Sequence, residues 1–511
     1  MGKEHNNKKG ICFLVGAGPG DPGLLTLRAK ECLESADVVV YDYLCNPEIL
    51  NHAPSDAEKI YAGKKAADHA IPQDELNDLL VKLSIEGKTV VRLKGGDPYV
   101  FGRGGEEAQE LKKAGIPFEI IPGISSSVAG PAYAGIPVTH RDCCSQLTIF
   151  TGHEDPTKQD SVIDYSKIGQ ADGTKVMLMG VGQLEKVTNE MLDGGAPKNT
   201  PIALIRWATT GRQQTLVGEI GNIVEKVKKT GFKAPAVTVF GEVVKLRNEL
   251  NWFEERPLYG KKMVVTRTRT QAGELSVRLR HLGADVDEMP TIRIEPPIEL
   301  KEFGQFVQDS HKYDWIVFTS PNGVDAFFEL FFKLYKDARS IGGARIAAVG
   351  PGTQKKIESY HLSVDLLPDK YVAEGLIEKF KETEGVENQT IMLVRPETTR
   401  DIISKGLTEM GAIVDEAIAY RTVPEVDDPT GAVERFNSGE IELVTFTSSS
   451  TVESFMELDL VMPDHLIMAS IGPVTSETIR SYGYEVDIES EESNIPSLVD
   501  AIEEYYLDLK G

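Results

Sequence analysis

The carboxyl-terminal half of the chain carries the same pattern twice, and a duplication of this length restricts the available folds more than any single motif does. KKMVVTRTRT…LRHLGADVDEMPTIRIEP (261–296) is echoed by QTIMLVRPETTR…LTEMGAIVDEAIAYRTVPE (389–425), and WIVFTSPNGVDAFF (315–328) by LVTFTSSSTVESFM (443–456). Gly283 and Gly411 stand 128 residues apart, as do Phe318 and Phe446. A third pair, IAAVGPGTQKKI (346–357) and IMASIGPVTSETI (467–479), is offset by 122 at Gly350 and Gly472, so a small length change lies between the copies. Each copy alternates β-branched runs with helix-like segments, which predicts two related α/β lobes with a cleft between them, a preferred place for small-molecule sites.

The first half is organised differently. Short runs such as ICFLVG, DVVVYD, TVVRLKG, VMLMG and AVTVFG alternate with helix-like stretches and loops from residue 11 to about 243, again an α/β pattern. A polar stretch holding Pro257 and Gly260 then precedes a new strand, KKMVV, so the boundary falls near 248–258, giving units at 10–247 and 258–508. Two such units suit a chain of 511 residues.

Charge excludes some partners. The formal net charge of −24 repels nucleic acid and anionic membrane at long range, so an anionic ligand has to be held locally by backbone N–H groups and a few placed cations. No run approaches the ~18 apolar residues of a membrane span, and MGKEHNNKKG lacks the apolar core of a secretion signal, so the chain is expected to be cytoplasmic. The five cysteines fall in the first third without a C-x-x-C pair, which predicts reduced structural thiols and no zinc site.

Two loops run from a strand pattern through glycines into a helix pattern: VGAGPGDPGLLTLRAKECL (15–33) and VVRLKGGDPYVFGRGGEE (90–107). A dinucleotide fingerprint needs a third glycine where Asp21 stands, and a Walker loop needs Gly-Lys-Ser/Thr, which neither loop has. What remains is backbone that must approach a ligand closely at Gly16, Gly18, Gly95 and Gly96, where a Cβ would intrude. Tight turns alone are the plain alternative.

GAGPGDPGLLT (16–26), VVYDYL (39–44), AGKKAADHAIPQDELN (62–77), VRLKGGDPYVFGRGGEE (91–107), PGISSSVAGPAYAGIPVTHR (122–141) and TGH (151–153) occur in the order seen in uroporphyrinogen-III C-methyltransferases, which the first half resembles from about residue 10 to 247. That resemblance implies the tetrapyrrole-methylase fold, two α/β subdomains with S-adenosylmethionine folded into the cleft between them, usually in a homodimer. It places Pro19, Gly95, Gly96, Asp97, Val100, Ser125, Ser126, Met179 and Ala208 at the methyl donor, with Ser125 and Ser126 standing where the family has Thr-Ala. It also makes Asp42 the proton acceptor and Lys64 the proton donor, and it requires no metal. The bland reading is that Asp42 caps a turn and Lys64 is a solvated charge. Arg92, Arg103 and Arg141 are candidates for substrate carboxylates; His69, His140 and His153 receive no chemical step.

The second half resembles uroporphyrinogen-III synthase, through FTSPNGV, VGPGT, AYRTVPE and IGPVTSETI in order. The resemblance implies a two-lobed α/β unit joined by two connecting segments, TIRIEPP (291–297) and AYRTVPE (419–425). It marks Tyr420 as the residue assisting hydroxyl departure and Thr353 and Thr475 as cleft contacts. Ser320 and Ser448, in turns that follow strands, would sit where helix-start N–H groups can seat propionate and acetate groups; ordinary capping is the alternative. Arg267, Arg269 and Arg395 are further substrate candidates.

The reading that results is a bifunctional α/β enzyme that cyclises hydroxymethylbilane to uroporphyrinogen III and methylates it twice to precorrin-2, feeding sirohaem or cobalamin synthesis, with small tetrapyrroles as partners and neither nucleic acid nor membrane. A ligand sensor built on the two lobes, and a methyltransferase acting on RNA, are the rivals from other classes; the acidic charge and the lack of a basic stripe weigh against the latter.

Overall fold

A computed structural model describes residues 9–54, 56–63, 71–153, 163–266, 269–289, 291–383, 385–398, 401–424 and 431–509. Four five-stranded sheets organise them. The first contains β1 (Ile11–Gly16), β2 (Val38–Tyr41), β3 (Glu58–Tyr61), β4 (Thr89–Lys94) and β5 (Phe118–Ile121), all parallel, in the order β3-β2-β4-β1-β5. Its three central strands are mostly apolar because both faces are covered, with Arg92 and Lys94 of β4 the exceptions. Phe13, Val15, Val39, Val91 and Leu93 enter one core, and the alternate residues Cys12, Leu14, Val38, Val40 and Val90 enter the other.

The second sheet holds β6 (Leu147–Thr151), β7 (Thr174–Leu178), β8 (Pro201–Arg206), β9 (Gln214–Glu219) and β10 (Ala236–Phe240) in the order β6-β7-β10-β8-β9; only β6 and β7 pair in parallel. The helix Ser126–Tyr133 links the two sheets and begins under a cap from the Ser125 hydroxyl. The glycine loops leave the carboxyl ends of β1 and β4, the edge at which parallel sheets collect ligands.

In the second half the repeats do not each make one lobe. β11 (Lys262–Val265) and β12 (Asp285–Glu288), from the first copy, share a sheet with β18 (Leu443–Phe446), β19 (Ile467–Ser470) and β20 (Ile488–Glu489) from the second, in the order β12-β11-β18-β19-β20. The other lobe combines β13 (Ile292–Glu295), β14 (Trp315–Phe318) and β15 (Arg345–Ala348) with β16 (Thr390–Pro396) and β17 (Ile413–Pro424), in the order β13-β17-β16-β14-β15. The copies exchange halves, so the chain crosses between lobes twice. The two crossings are the segments that resemblance marked as connectors, and they pair: β13 lies antiparallel to the end of β17, from Ile292 opposite Pro424 to Glu295 opposite Arg421.

Among the described residues no helix is long and apolar enough to cross a membrane.

Candidate active site

Three loops are tied together at the carboxyl edge of the first sheet. Gly18 N–H donates to Gly96 O (3.2 Å), Gly96 N–H donates back to Gly18 O (2.7 Å), and Ala17 N–H donates to Lys94 O (2.8 Å). The Asp97 carboxylate closes the set, accepting from Tyr99 and Val100 N–H with one oxygen (2.8 and 3.1 Å) and from Gly123 N–H with the other (3.0 Å). This changes the physical reason for the glycines. A Cβ on Gly16 would meet Gly123 Cα at 2.5 Å, and one on Gly123 would meet Gly96 O at 2.2 Å, so the close approach is of loop to loop. Gly96 is needed for its φ of +70° rather than for space, its nearest non-neighbour atom lying at 3.9 Å.

The loops wall a cavity of about 1350 Å³ that also takes in the start of the helix Ser126–Tyr133 and the turns after β7 and β8. Pro19, Asp42, Gly95, Gly96, Asp97, Val100, Ser125, Ser126, Met179 and Ala208 all line it. Lys64 and His69 lie outside the described residues. Four lining residues other than glycine, Phe101, Met179, Trp207 and Thr209, hold positive φ (56°, 56°, 47° and 69°). Such strain costs on the order of 1–3 kcal/mol at each position and collects where function over-determines the backbone. Tyr43, Leu44, Phe101 and Met179 leave large apolar surface exposed on this wall, and Tyr43 meets Trp207 edge-on at 6.1 Å.

Asp42 sits just beyond β2 and receives a hydrogen bond from Arg92 at 2.6 Å. Arg92 is 2% exposed and also reaches Glu107 (3.2 Å), which is fully buried and holds Lys94 at 2.6 Å. Arg92 is therefore not a substrate contact: two carboxylates occupy it under the sheet. Burial, with Arg92 beside it, pulls Lys94 below the ordinary lysine range. Burial pushes the thiols of Cys12 and Cys45 up to about 12, which fits structural cysteines. The network had a sequence signal, since two cations at alternate positions of an otherwise apolar parallel strand, VVRLK, demand a buried carboxylate. Arg103 is exposed and pairs with Glu106 at 2.6 Å, and Arg141 is exposed.

In the second half Tyr420 is 6% exposed and its hydroxyl lies 2.9 Å from that of Ser320. The β16–β17 register shifts here, with Arg395 opposite Ile418 and Pro396 opposite Tyr420, and such an irregularity re-aims the side chain that follows it. Burial raises the Tyr420 phenol above its ordinary value. Ser320 caps the helix Pro321–Leu334 by accepting from Gly323 N–H (3.1 Å), and Ser448 caps the helix Ser449–Met456 in a reciprocal box with Thr451. Thr353 and Thr475 are buried in the first turns of the helices Pro351–Glu358 and Pro473–Ser481, in equivalent places on the two lobes. Tyr420, Ser320 and Thr353 thus belong to one lobe and Ser448 and Thr475 to the other. Arg395 is 6% exposed and paired with Asp401 and Glu416, so it is not a free substrate contact; Arg267 and the Arg269 side chain lie outside the described set.

Residues 12–224 match the family described as Tetrapyrrole (Corrin/Porphyrin) Methylases, and residues 273–500 match Uroporphyrinogen-III synthase HemD. The porphyrin biosynthesis protein HemD of Ruminiclostridium josui is 37% identical over 494 residues, covering 96% of this chain and 97% of that one. The S-adenosyl-L-methionine-dependent uroporphyrinogen III methyltransferase of Methanosarcina barkeri is 51% identical over 241 residues, covering 47% of this chain and 94% of its own. A crystal structure of uroporphyrin-III C-methyl transferase from Thermus thermophilus complexed with S-adenyl homocysteine is 37% identical, covering 46% of this chain and 100% of that one with a TM-score of 0.41. A glycine-loop methylase unit followed by a two-lobed unit defines a two-activity tetrapyrrole enzyme. The chain belongs to the family of uroporphyrinogen-III C-methyltransferases fused to uroporphyrinogen-III synthase, and it carries both enzyme activities.

The cavity fits S-adenosylmethionine. The hydrogen-bonded loops present Pro19, Gly95, Gly96 and Val100, none with a charged side chain, and the Asp97 carboxylate to the cavity, a lining that suits a positively charged sulfonium. The volume exceeds the ~300–1,000 Å³ usual for one small ligand because the cavity runs on to the junction with the second half.

Proposed function

We propose that the synthase half closes hydroxymethylbilane to uroporphyrinogen III and that the methylase half converts this product to precorrin-2 by two methyl transfers, on the route to sirohaem and, as a branch, cobalamin. The observation that carries the methylase reading is the convergence of Asp42 and all nine donor-site residues on one cavity.

S-adenosylmethionine, when bound, supplies an electrophilic methyl group on a positively charged sulfur. The chain's own contribution is alignment, exclusion of water and proton handling. The apolar wall of Tyr43, Leu44, Phe101 and Trp207 suits the flat face of a macrocycle, which would lie over the donor floor. The methylated ring carbon is fully substituted, so the macrocycle sheds a proton from another position to settle its double bonds. Asp42 takes it in this reading, which is supported by Arg92 fixing the carboxylate from the sheet side while about a third of the side chain stays open. Lys64 is the matching donor by motif.

In the synthase half, hydroxyl departure from the linear substrate is assisted by the Tyr420 phenol, held by Ser320 at the start of a helix. The starts of the four equivalent helices seat the substrate's carboxylates by their N–H groups. Few obligatory side chains are needed, because holding the ends of the chain together is most of the task.

The test is a double dissociation in the full chain. Asp42→Asn should slow methylation by about 10²-fold or more while leaving cyclisation at the wild-type rate. Tyr420→Phe should slow cyclisation by about tenfold and leave methylation of supplied uroporphyrinogen III unchanged. Equal loss of both activities in either variant would contradict separate sites with these roles.

A further inference from the structure

The cavity extends past the donor floor to the junction of the two halves, where its wall includes Arg212, Arg256, Arg280 and Arg435. The tetrapyrrole substrate is a polycarboxylate entering an acidic protein, so its carboxylates need cations that are not already neutralised.

Most of these arginines are engaged. Arg212 binds Asp285 and Asp287 (3.0 and 3.1 Å), Arg435 binds Asp287 (2.7 Å), and Arg280 forks onto Glu48. Arg256 differs. Its guanidinium stacks over Trp252 (4.6 Å) and Phe253 (5.1 Å) and makes one long bond to Arg280 O (3.4 Å), and no carboxylate among the described residues pairs with it. The aromatic pair is anchored on the methylase half, since Tyr133 packs on Trp252 and Phe253 at 5.0 and 4.9 Å and Trp252 donates to Ala132 O (3.0 Å). Tyr133 in turn donates to Asp21 of the first glycine loop at 2.7 Å. A cation pre-oriented on a rigid aromatic platform loses little freedom on gripping an anion.

We propose that Arg256, in the segment joining the two halves, is a carboxylate anchor for the tetrapyrrole in the methylase cavity and thereby a specificity-determining residue for methylation. This rests on the methylase reading above. The consequence is that the junction segment serves the first active site as well as connecting two enzymes: it selects macrocycles whose side-chain carboxylates reach the cavity's outer wall.

The test uses the full chain and porphyrin fluorescence, which reports binding without turnover. Uroporphyrin III, an octacarboxylate, and coproporphyrin III, a tetracarboxylate, are titrated into wild type, Arg256→Gln and Arg256→Lys, with S-adenosylhomocysteine binding followed separately by calorimetry. The expectation is that Arg256→Gln weakens uroporphyrin binding by about tenfold, the scale of one charge-assisted bond, and narrows the preference over coproporphyrin. Arg256→Lys should recover part of the loss, with the heat of S-adenosylhomocysteine and the cyclisation rate unchanged in both variants. Unchanged uroporphyrin affinity in Arg256→Gln would overturn the anchor, as would parallel weakening of S-adenosylhomocysteine, which would mark a structural role. A wild-type chain that binds S-adenosylhomocysteine but neither porphyrin would overturn the anchor while sparing the donor site; one that binds none of the three would overturn both.

Discussion

Asp42 is positioned by groups it never shares with solvent. Its partner Arg92 is clamped by Glu107, and Glu107 also holds Lys94, so one buried carboxylate organises two cations beneath the active-site edge. Removing one member of such a cluster leaves an uncompensated charge, which costs about 3–5 kcal/mol. Glu107→Ala is expected to lower the protection of β1 and β4 amides in hydrogen exchange by that amount and to abolish methylation, while protection in the second half is unchanged; a cost under ~1 kcal/mol would contradict the network. The residue scale is also where the sequence was least legible. Arg92 reads as a carboxylate contact because its motif borders a ligand loop, and only burial shows that its charge is spent inside. Arg256 attracted no attention because nothing in ERPLYG distinguishes a stacked, unneutralised arginine from a solvated one. Asp42 is singled out by resemblance alone, since a carboxylate after a strand has many structural uses.

Among elements, the glycine loops act as a lock between strands β1, β4 and the turn after β5. Adding a Cβ to Gly123 places it 2.2 Å from Gly96 O, so Gly123→Ala must separate the loops. Overpacking of this kind costs roughly 1–3 kcal/mol, and here it falls on the floor of the proposed donor site. The expected outcome is loss of the S-adenosylhomocysteine heat in calorimetry with cyclisation retained, and wild-type binding would show that the lock is dispensable. Strand patterns and both glycine loops were readable from β-branched runs and turn residues, because these are local signals. The exchange of half-repeats between the lobes was not, since each strand fits either sheet by its own pattern and pairing partners are chosen by packing far away in sequence. The same holds for the bulge that aims Tyr420, which depends on β16 rather than on AYRTVPE itself.

Across the whole molecule, the first lobe of the synthase packs on the rim of the methylase cavity. Gly211 is pressed against Ala284 and Asp285, where a Cβ would come within 2.4 Å of the backbone, and Arg212 and Arg280 carry ion pairs across the junction. Burial holds the Glu48 carboxyl up at about 7, with Glu288 and Asp287 adding to it and Arg280 opposing. A carboxyl raised in the folded state keeps a proton that the unfolded chain releases, so its contribution is complete below its ordinary value of 4.5 and lost as pH rises through about 7. Between about pH 5 and about pH 8 the thermal midpoint of Glu48→Gln should therefore fall less than that of wild type; an equal or larger fall would contradict the assignment. The two-unit division and the acidic surface were legible from repeats and composition, whereas the composite cavity between the units was not, because no single segment contains it.

The central claim, two consecutive reactions in one chain, is tested most directly by supplying hydroxymethylbilane to the purified protein with and without S-adenosylmethionine and identifying the macrocycle by mass and isomer. The account predicts uroporphyrinogen III alone without the donor, and a product heavier by two methyl groups with it. Accumulation of the type-I ring, or of unmethylated type-III ring in the presence of the donor, would contradict it.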